Sequence, residues 1–154
     1  MTRATLPSEC TLRRARPGDR WAILKLVLSQ MLDPTQLRVR QFWAIECKGE
    51  VVACGQLRQF DGAQELGSMV VAAPWRDRGL GTALGQHLIQ SARDPLYLEC
   101  MSRLVPFYEK LGFESVEWQQ VPESLKWKFG VSQLGSKLLP ISVTLMRYEG
   151  VENR

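Results

Sequence analysis

The sequence predicts an α/β protein: a mixed, mostly antiparallel sheet of six to seven strands with helices against its faces. Three observations carry this. Strand-like runs alternate with amphipathic runs along the chain, short turns join three consecutive strands between 42 and 73, and strand, helix and strand succeed one another at 64–101. The last unit reads as a right-handed crossover to a parallel neighbour. A length of 154 residues allows one domain with a real core and little beyond it. A single domain over 1–154, with its core at about 10–148, is expected.

The elements follow in order. Residues 10–15 suit a first strand, ended by Arg16-Pro17-Gly18. Asp19 is placed to cap a helix whose inward face would be Trp21, Leu24, Leu28 and Met31, at helical spacing. Asp33-Pro34 stops it, and a weaker helical piece is expected at 35–40. Strands follow at 42–47, 51–60 and 64–73, joined by Lys48-Gly49-Glu50 and by Asp61-Gly62, a strong tight-turn signal. Beyond Pro74 the period becomes helical, with Ala83, Leu84, Leu88, Ile89 and Ala92 on one stripe. Asp94-Pro95 ends that helix. A compact strand at 96–101, a short helix at 105–111 and a strand at 112–119 come next. Pro122 suits the first position of a short helix through Leu125 and Phe129, which Gly130, Gly135 and Pro140 then interrupt. Alternation at 141–148 marks a last strand, and the tail 149–154 is expected to fray.

Composition excludes several function classes. No apolar run approaches the roughly 20 residues that span a bilayer, and no apolar segment follows the N-terminal residues as in a secretory signal. A soluble, cytoplasmic protein without a membrane partner is therefore expected. The net charge of +4 suits an anionic ligand, but no nucleic-acid-binding module or dense basic–aromatic stripe accompanies it. Nucleic acid is not expected as a partner. Cysteines stand at 10, 47, 54 and 100, without a Cys-x-x-Cys pair and with His87 as the sole histidine. No metal is expected, and the cysteines read as buried reduced thiols, with disulfides allowed but not required. His87 reads as a solvent-facing polar residue of its helix.

Chemistry gathers at Val70-Val71-Ala72-Ala73-Pro74-Trp75-Arg76-Asp77-Arg78-Gly79-Leu80-Gly81-Thr82. This stretch leaves a strand and enters a helix, where several N–H groups lack intrahelical partners and can converge on an anion. Gly79 and Gly81 admit a phosphate close to the backbone, Arg76 and Arg78 add charge, and Thr82 adds a hydroxyl. The turn lacks the Gly-Lys-Ser/Thr of a mononucleotide loop and the three spaced glycines of a dinucleotide fingerprint. Taken alone, it also reads as a basic surface turn.

Arg76-Asp77-Arg78-Gly79-Leu80-Gly81 resembles the Gln/Arg-x-x-Gly-x-Gly/Ala signature of the GCN5-related N-acetyltransferase (GNAT) superfamily. The lead-in Val71-Ala72-Ala73-Pro74-Trp75 is similar too. A second family signature follows at Pro106-Phe107-Tyr108-Glu109-Lys110-Leu111-Gly112-Phe113. The resemblance implies an acetyl-CoA-dependent N-acetyltransferase acting on a primary amine of a small molecule or peptide. It also implies a sheet splayed between its fourth and fifth strands, with acetyl-CoA in the gap. Backbone at Met69, Val70 and Val71 would hold the pantetheine arm and thioester. The N–H groups of Arg76, Asp77, Arg78, Gly79, Leu80, Gly81 and Thr82 would hold the diphosphate.

By the same resemblance Tyr108 is the acid toward the CoA thiolate. Otherwise it is an aromatic packing residue beside Phe107 with its hydroxyl at the surface. Proton removal from the amine calls for a carboxylate or an ordered water. Glu65, early in the strand that feeds the turn, is the first candidate, and Glu99 on the next strand is the second. Glu65 also reads as a residue facing water. Many relatives carry an Asn seven residues before the tyrosine, where this chain has Met101, so Ser102 is the nearest side chain able to replace its hydrogen bond. A non-catalytic acyl-CoA sensor or scaffold is the alternative reading. An exposed sheet edge would serve a homodimer, and a monomer stays open.

Overall fold

The computed structural model describes residues 3–138 and 141–150. Seven strands form a mixed sheet in the order β1-β2-β3-β4-β5-β7-β6. They are β1 (Cys10–Arg14), β2 (Phe42–Cys47), β3 (Glu50–Phe60), β4 (Ala63–Val71), β5 (Leu96–Met101), β6 (Phe113–Ser115) and β7 (Val143–Tyr148). Among the described residues four α-helices accompany them: α1 (Arg20–Ser29), α2 (Leu80–Ser91), α3 (Val105–Leu111) and α4 (Glu123–Leu138). No described helix is long and apolar enough to cross a membrane. Of the expected frayed tail, residues 151–154 lie outside the described residues.

The chain divides into two compact units, 1–58 with 66–91, and 59–65 with 92–154. In the first, β1 and β2 run antiparallel, as do β2 and β3. Cys54 on β3 joins Ile23, Leu26, Val27, Phe42 and Val70 in one buried cluster, so α1 lies over that face. The next residue, Gly55, points to the other face. A Cβ there would stand 2.7 Å from Leu88 Cδ1, so the glycine lets α2 approach the strand closely. Of the expected α2 stripe, Leu84, Leu88 and Ile89 are buried, Ala83 is half-buried, and Ala92 is buried just past the helix end at Ser91.

α1 corrects its expected face. Ile23, Leu26 and Val27 are buried, whereas Trp21, Leu28 and Met31 are exposed. The run Trp-Ala-Ile-Leu-Lys-Leu-Val-Leu is apolar nearly all round, so spacing alone selects no side. The helical piece expected at 35–40 is a turn followed by a single 3-10 turn at Val39–Gln41. Asp19 does stand at the start of α1, yet its carboxylate accepts from the Arg16 N–H (2.7 Å) and the Arg13 guanidinium (2.7 and 3.0 Å). The cysteine reading is corrected as well. The β1–β2 register sets Cys10 opposite Cys47 with Cα atoms 4.1 Å apart, and the two form a disulfide. Cys54 and Cys100 are free and buried.

In the second unit, β4 and β5 pair in parallel at Gln64↔Leu96 and Glu65↔Tyr97. The β3–β4 turn falls at Asp61-Gly62 as expected, with Gly62 at φ 71°. β7 runs antiparallel between β5 and β6. β6 is shorter than the 112–119 expected, because a 3-10 turn at Trp118–Gln120 takes over its end. The short, broken helix expected after Pro122 is instead the 16-residue α4, continuous through Gly130 and Gly135. Burial explains this. Leu125 and Phe129 pack with Val121, Ala63, Tyr97 and Leu145, and that apolar gain exceeds the roughly 1 kcal/mol each interior glycine costs.

Candidate active site

The first unit carries the glycine-containing turn at 76–82. β4 is interrupted at Ser68, whose φ of 50° places an ordinary residue in the left-handed region. The result is an irregular strand immediately before Met69, Val70 and Val71. Arg58, buried on β3, donates to the Ser68 hydroxyl at 2.8 Å and lies over Gly67, where a Cβ would meet its Nη1 at 2.2 Å. The Cys54 thiol donates to the Ser68 carbonyl at 3.6 Å, and burial pushes that thiol up to about 12. This irregularity has no signature in the sequence beyond the pair Gly67-Ser68.

After β4 the Ala72 N–H donates to the Val52 carbonyl (2.7 Å), and a 3-10 turn covers Ala73–Trp75. Asp77 and Gly79 then both take left-handed backbone, at φ 61° and 82°. Left-handed residues alternating with others turn successive N–H groups toward one side and form an anion-binding concavity. α2 begins at Leu80, and its first bond runs from the Ala83 N–H to the Gly79 carbonyl (3.0 Å). The N–H groups of Leu80, Gly81 and Thr82 are thus the first of the helix, with the positive end of its dipole behind them. Arg76 is tied back, its Nε donating to the Val71 carbonyl at 3.2 Å, and Arg78 stacks over Trp75 at 4.8 Å. Residues 76–79 are exposed, so the turn faces solvent with two arginines beside it.

His87 does not face solvent on α2. It is half-buried with its ring edge-on to Trp43 (centroids 4.1 Å), and burial together with nearby Arg3 lowers its pKa.

The titratable candidates all fall in the second unit, distributed over the two faces of β5. Glu65 pairs with Tyr97 across the parallel ladder, and Glu99 lies two residues beyond Tyr97, so all three share the face under α4. Glu65 does not face water: it is buried and ion-paired with Lys128 of α4. Glu99 is half-buried. It accepts from the Gln133 amide at 3.1 Å, with Ser132 also favouring its charged form. Burial outweighs these bonds and raises its pKa above the ordinary 4.5, with Glu65 adding to the rise.

Leu98 and Cys100 point the other way, toward Met146, whose sulfur lies 3.9 Å from Cys100 Sγ. Tyr108 belongs to that side. Its ring meets Phe107 and Phe113 edge-on (5.0 and 5.8 Å), and burial, with Cys100 nearby, raises its pKa and keeps it protonated. Its residue is buried, which removes the reading with a surface hydroxyl. Ser102 is engaged with its own strand pair, its hydroxyl 2.8 Å from that of Ser142 and 2.7 Å from that of Thr144. The sequence missed Lys128 and Gln133, because nothing local ties α4 to strands more than 30 residues away. Among the described residues no cluster of His, Cys, Asp or Glu is arranged to hold a metal.

Comparison with known proteins gives the same family as the turn. Residues 38–115 match the family model for the acetyltransferase (GNAT) domain. The chain is similar to an amino-acid acetyltransferase of Shewanella oneidensis, 27% identical over 146 residues, or 86% of this chain and 33% of that protein. It thus spans about a third of that relative's length. Among solved structures it resembles N-acetylglutamate synthase from Neisseria gonorrhoeae complexed with coenzyme A and N-acetyl-glutamate. The TM-score is 0.75 at 19% identity, covering 93% of this chain and 36% of that one. It also resembles a Mycobacterium tuberculosis protein in complex with CoA and NLQ, at TM-score 0.74 and 23% identity, covering 90% and 98%.

Proposed function

The chain belongs to the acetyltransferase (GNAT) family, and from that premise we propose that it is an acetyl-CoA-dependent N-acetyltransferase acting on a primary amine. The observation that carries the reading is the turn at 76–82, where left-handed Asp77 and Gly79 lead into the free N–H groups of α2. Those groups hold the diphosphate, and Met69, Val70 and Val71 the pantetheine arm. An amino acid is the first acceptor to test, since one relative is an amino-acid acetyltransferase and another is complexed with N-acetyl-glutamate.

The reaction needs no covalent intermediate. The neutral amine attacks the thioester carbonyl, whose developing oxyanion takes a backbone N–H near Val71. The C–S bond breaks, the departing thiolate takes a proton from Tyr108, and the amine's proton passes to Glu99. Solvent then resets both groups. Glu99 replaces Glu65 as the preferred base, because Lys128 already occupies the Glu65 carboxylate. A raised pKa also brings Glu99 closer to neutrality, where a general base works best. Ser102 is left to hold β5 against β7.

The test has two arms. Saturable acetyl-CoA binding with amide protection at 76–82 supports the donor site, and its absence refutes it. Tyr108→Phe should lower kcat by about 10²–10⁴ while changing acetyl-CoA affinity little. Wild-type turnover in that variant removes the acid. Tight acetyl-CoA binding without transfer to any amine favours a sensor.

A further inference from the structure

The outer face of α4 takes no part in the chemistry above, and it is apolar. Trp127, Val131, Leu134 and Leu138 are 81, 57, 63 and 80% exposed. Their spacing of four, three and four residues places them in one stripe, opposite the buried Leu125 and Phe129. A Trp offers about 150–250 Å². With three aliphatic side chains beside it, the stripe reaches on the order of 500 Å², a size at which exposed apolar surface marks an interaction site.

The pattern has an inner symmetry. Reversed about the point between Ser132 and Gln133, Trp127 exchanges with Leu138, Val131 with Leu134 and Gly130 with Gly135. A two-fold interface uses the same patch on both copies, so about that point Trp127 of one copy would meet Leu138 of the other, and Val131 would meet Leu134. The charges agree. Glu123 at the N-terminal end and Lys137 at the C-terminal end flank the same side of the stripe, both exposed. Antiparallel helices bring each Glu123, which within its own copy pairs with Lys126 at 3.0 Å, toward the other copy's Lys137 and oppose the two helix dipoles.

We propose that this face joins two copies of the chain, α4 packing antiparallel on α4 about an axis between Ser132 and Gln133. The pair would bury about 1,000 Å² in all, the lower bound for a specific interface. The expected association is therefore of micromolar strength, reversible on dilution.

Sedimentation equilibrium of the full chain over roughly 1–100 μM tests it, since each tenfold in affinity corresponds to about 1.4 kcal/mol. The wild type should pass from one chain to two across that range. Val131→Arg and Leu134→Arg should each weaken association at least about tenfold, with an unchanged circular dichroism spectrum. Glu123→Lys should weaken it less, and adding Lys137→Glu should restore it. This charge exchange carries the test should either arginine variant fail to fold. A wild type that stays monomeric throughout overturns the proposal. So does a dimer that Val131→Arg and Leu134→Arg leave intact, or an exchange that restores nothing. A monomer whose stripe is taken up by a different protein counts with the first of these.

Discussion

Replacing Gln133 by Leu offers a direct probe of Glu99 as base. The Gln133 amide donates to the Glu99 carboxylate at 3.1 Å and favours its charged form, against a burial that raises its pKa. Removing the donor leaves burial and the neighbouring Glu65 less opposed, so the pKa rises further. A hydrogen bond to a charged group contributes about 1.5–3 kcal/mol, and 1.36 kcal/mol is one unit. The ceiling is thus a rise of about one to two units. Because Glu99 is only half-buried, water replaces part of the lost bond, and a rise of about half to one unit is expected. The carboxyl carbon of Glu99, followed by NMR across pH, reports this apart from the acceptor's own ammonium. The acid limb of kcat at saturating acceptor should move upward by the same amount, with its plateau unchanged, and Glu99→Gln should remove that limb and most of the turnover. Were the titration to move while the limb stayed fixed, Glu99 would not be the base.

The remaining predictions concern stability and donor binding. Asp19, held below its ordinary 3.8 by Arg13 first and the Arg16 N–H after it, contributes stability that is complete above 3.8 and lost as pH falls toward its lower folded value. Asp19→Ala should cost about 1–2 kcal/mol at neutral pH, and its urea midpoint should converge on the wild type in that acid window. Lys128→Met leaves a buried carboxylate without its cation and should cost about 3 kcal/mol. Adding Glu65→Gln should recover most of this, and a thermal melt that does not recover would remove the pairing from the account. Gly79→Val forces a branched residue to φ 82° where nothing crowds its Cβ, so folding should lose only about 1–2 kcal/mol. Acetyl-CoA affinity by calorimetry should fall beyond that, at least about tenfold, because a Cβ there would crowd the proposed diphosphate site.

The turn at 76–82 was legible because left-handed backbone and a helix start leave marks on residue type. Gly79 at positive φ and the N–H groups opening α2 are visible as a glycine pattern behind Pro74. The surroundings of the two carboxylates are set by tertiary contact. The sequence singles out both Glu65 and Glu99 as base candidates, yet their partners, Lys128 for the first and Gln133 for the second, come from a helix that no local pattern ties to these strands. α4 itself was hidden by Gly130 and Gly135, which local propensity reads as breaks but burial of Leu125 and Phe129 overrides. The Cys10–Cys47 bridge was hidden for a related reason. Register, not spacing, decides which cysteines meet, and only the β1–β2 pairing shows that these two are opposite.

β5 turns this into a statement about mechanism. Glu99 and Cys100 are neighbours in sequence, yet alternation sends the first toward α4 and the second toward Tyr108. Under the proposed mechanism the two side chains are therefore presented on different faces of one strand. The arrangement depends on register: a slip of one residue would exchange every side chain between the faces. Five antiparallel pairs with β7, from Tyr97↔Arg147 to Met101↔Val143, oppose that slip, and the Ser102, Ser142 and Thr144 hydroxyls fasten its end. Ser102 is thus engaged by the strand pair it closes. Replacing it by Ala should loosen the division between the faces before it alters affinity for the donor.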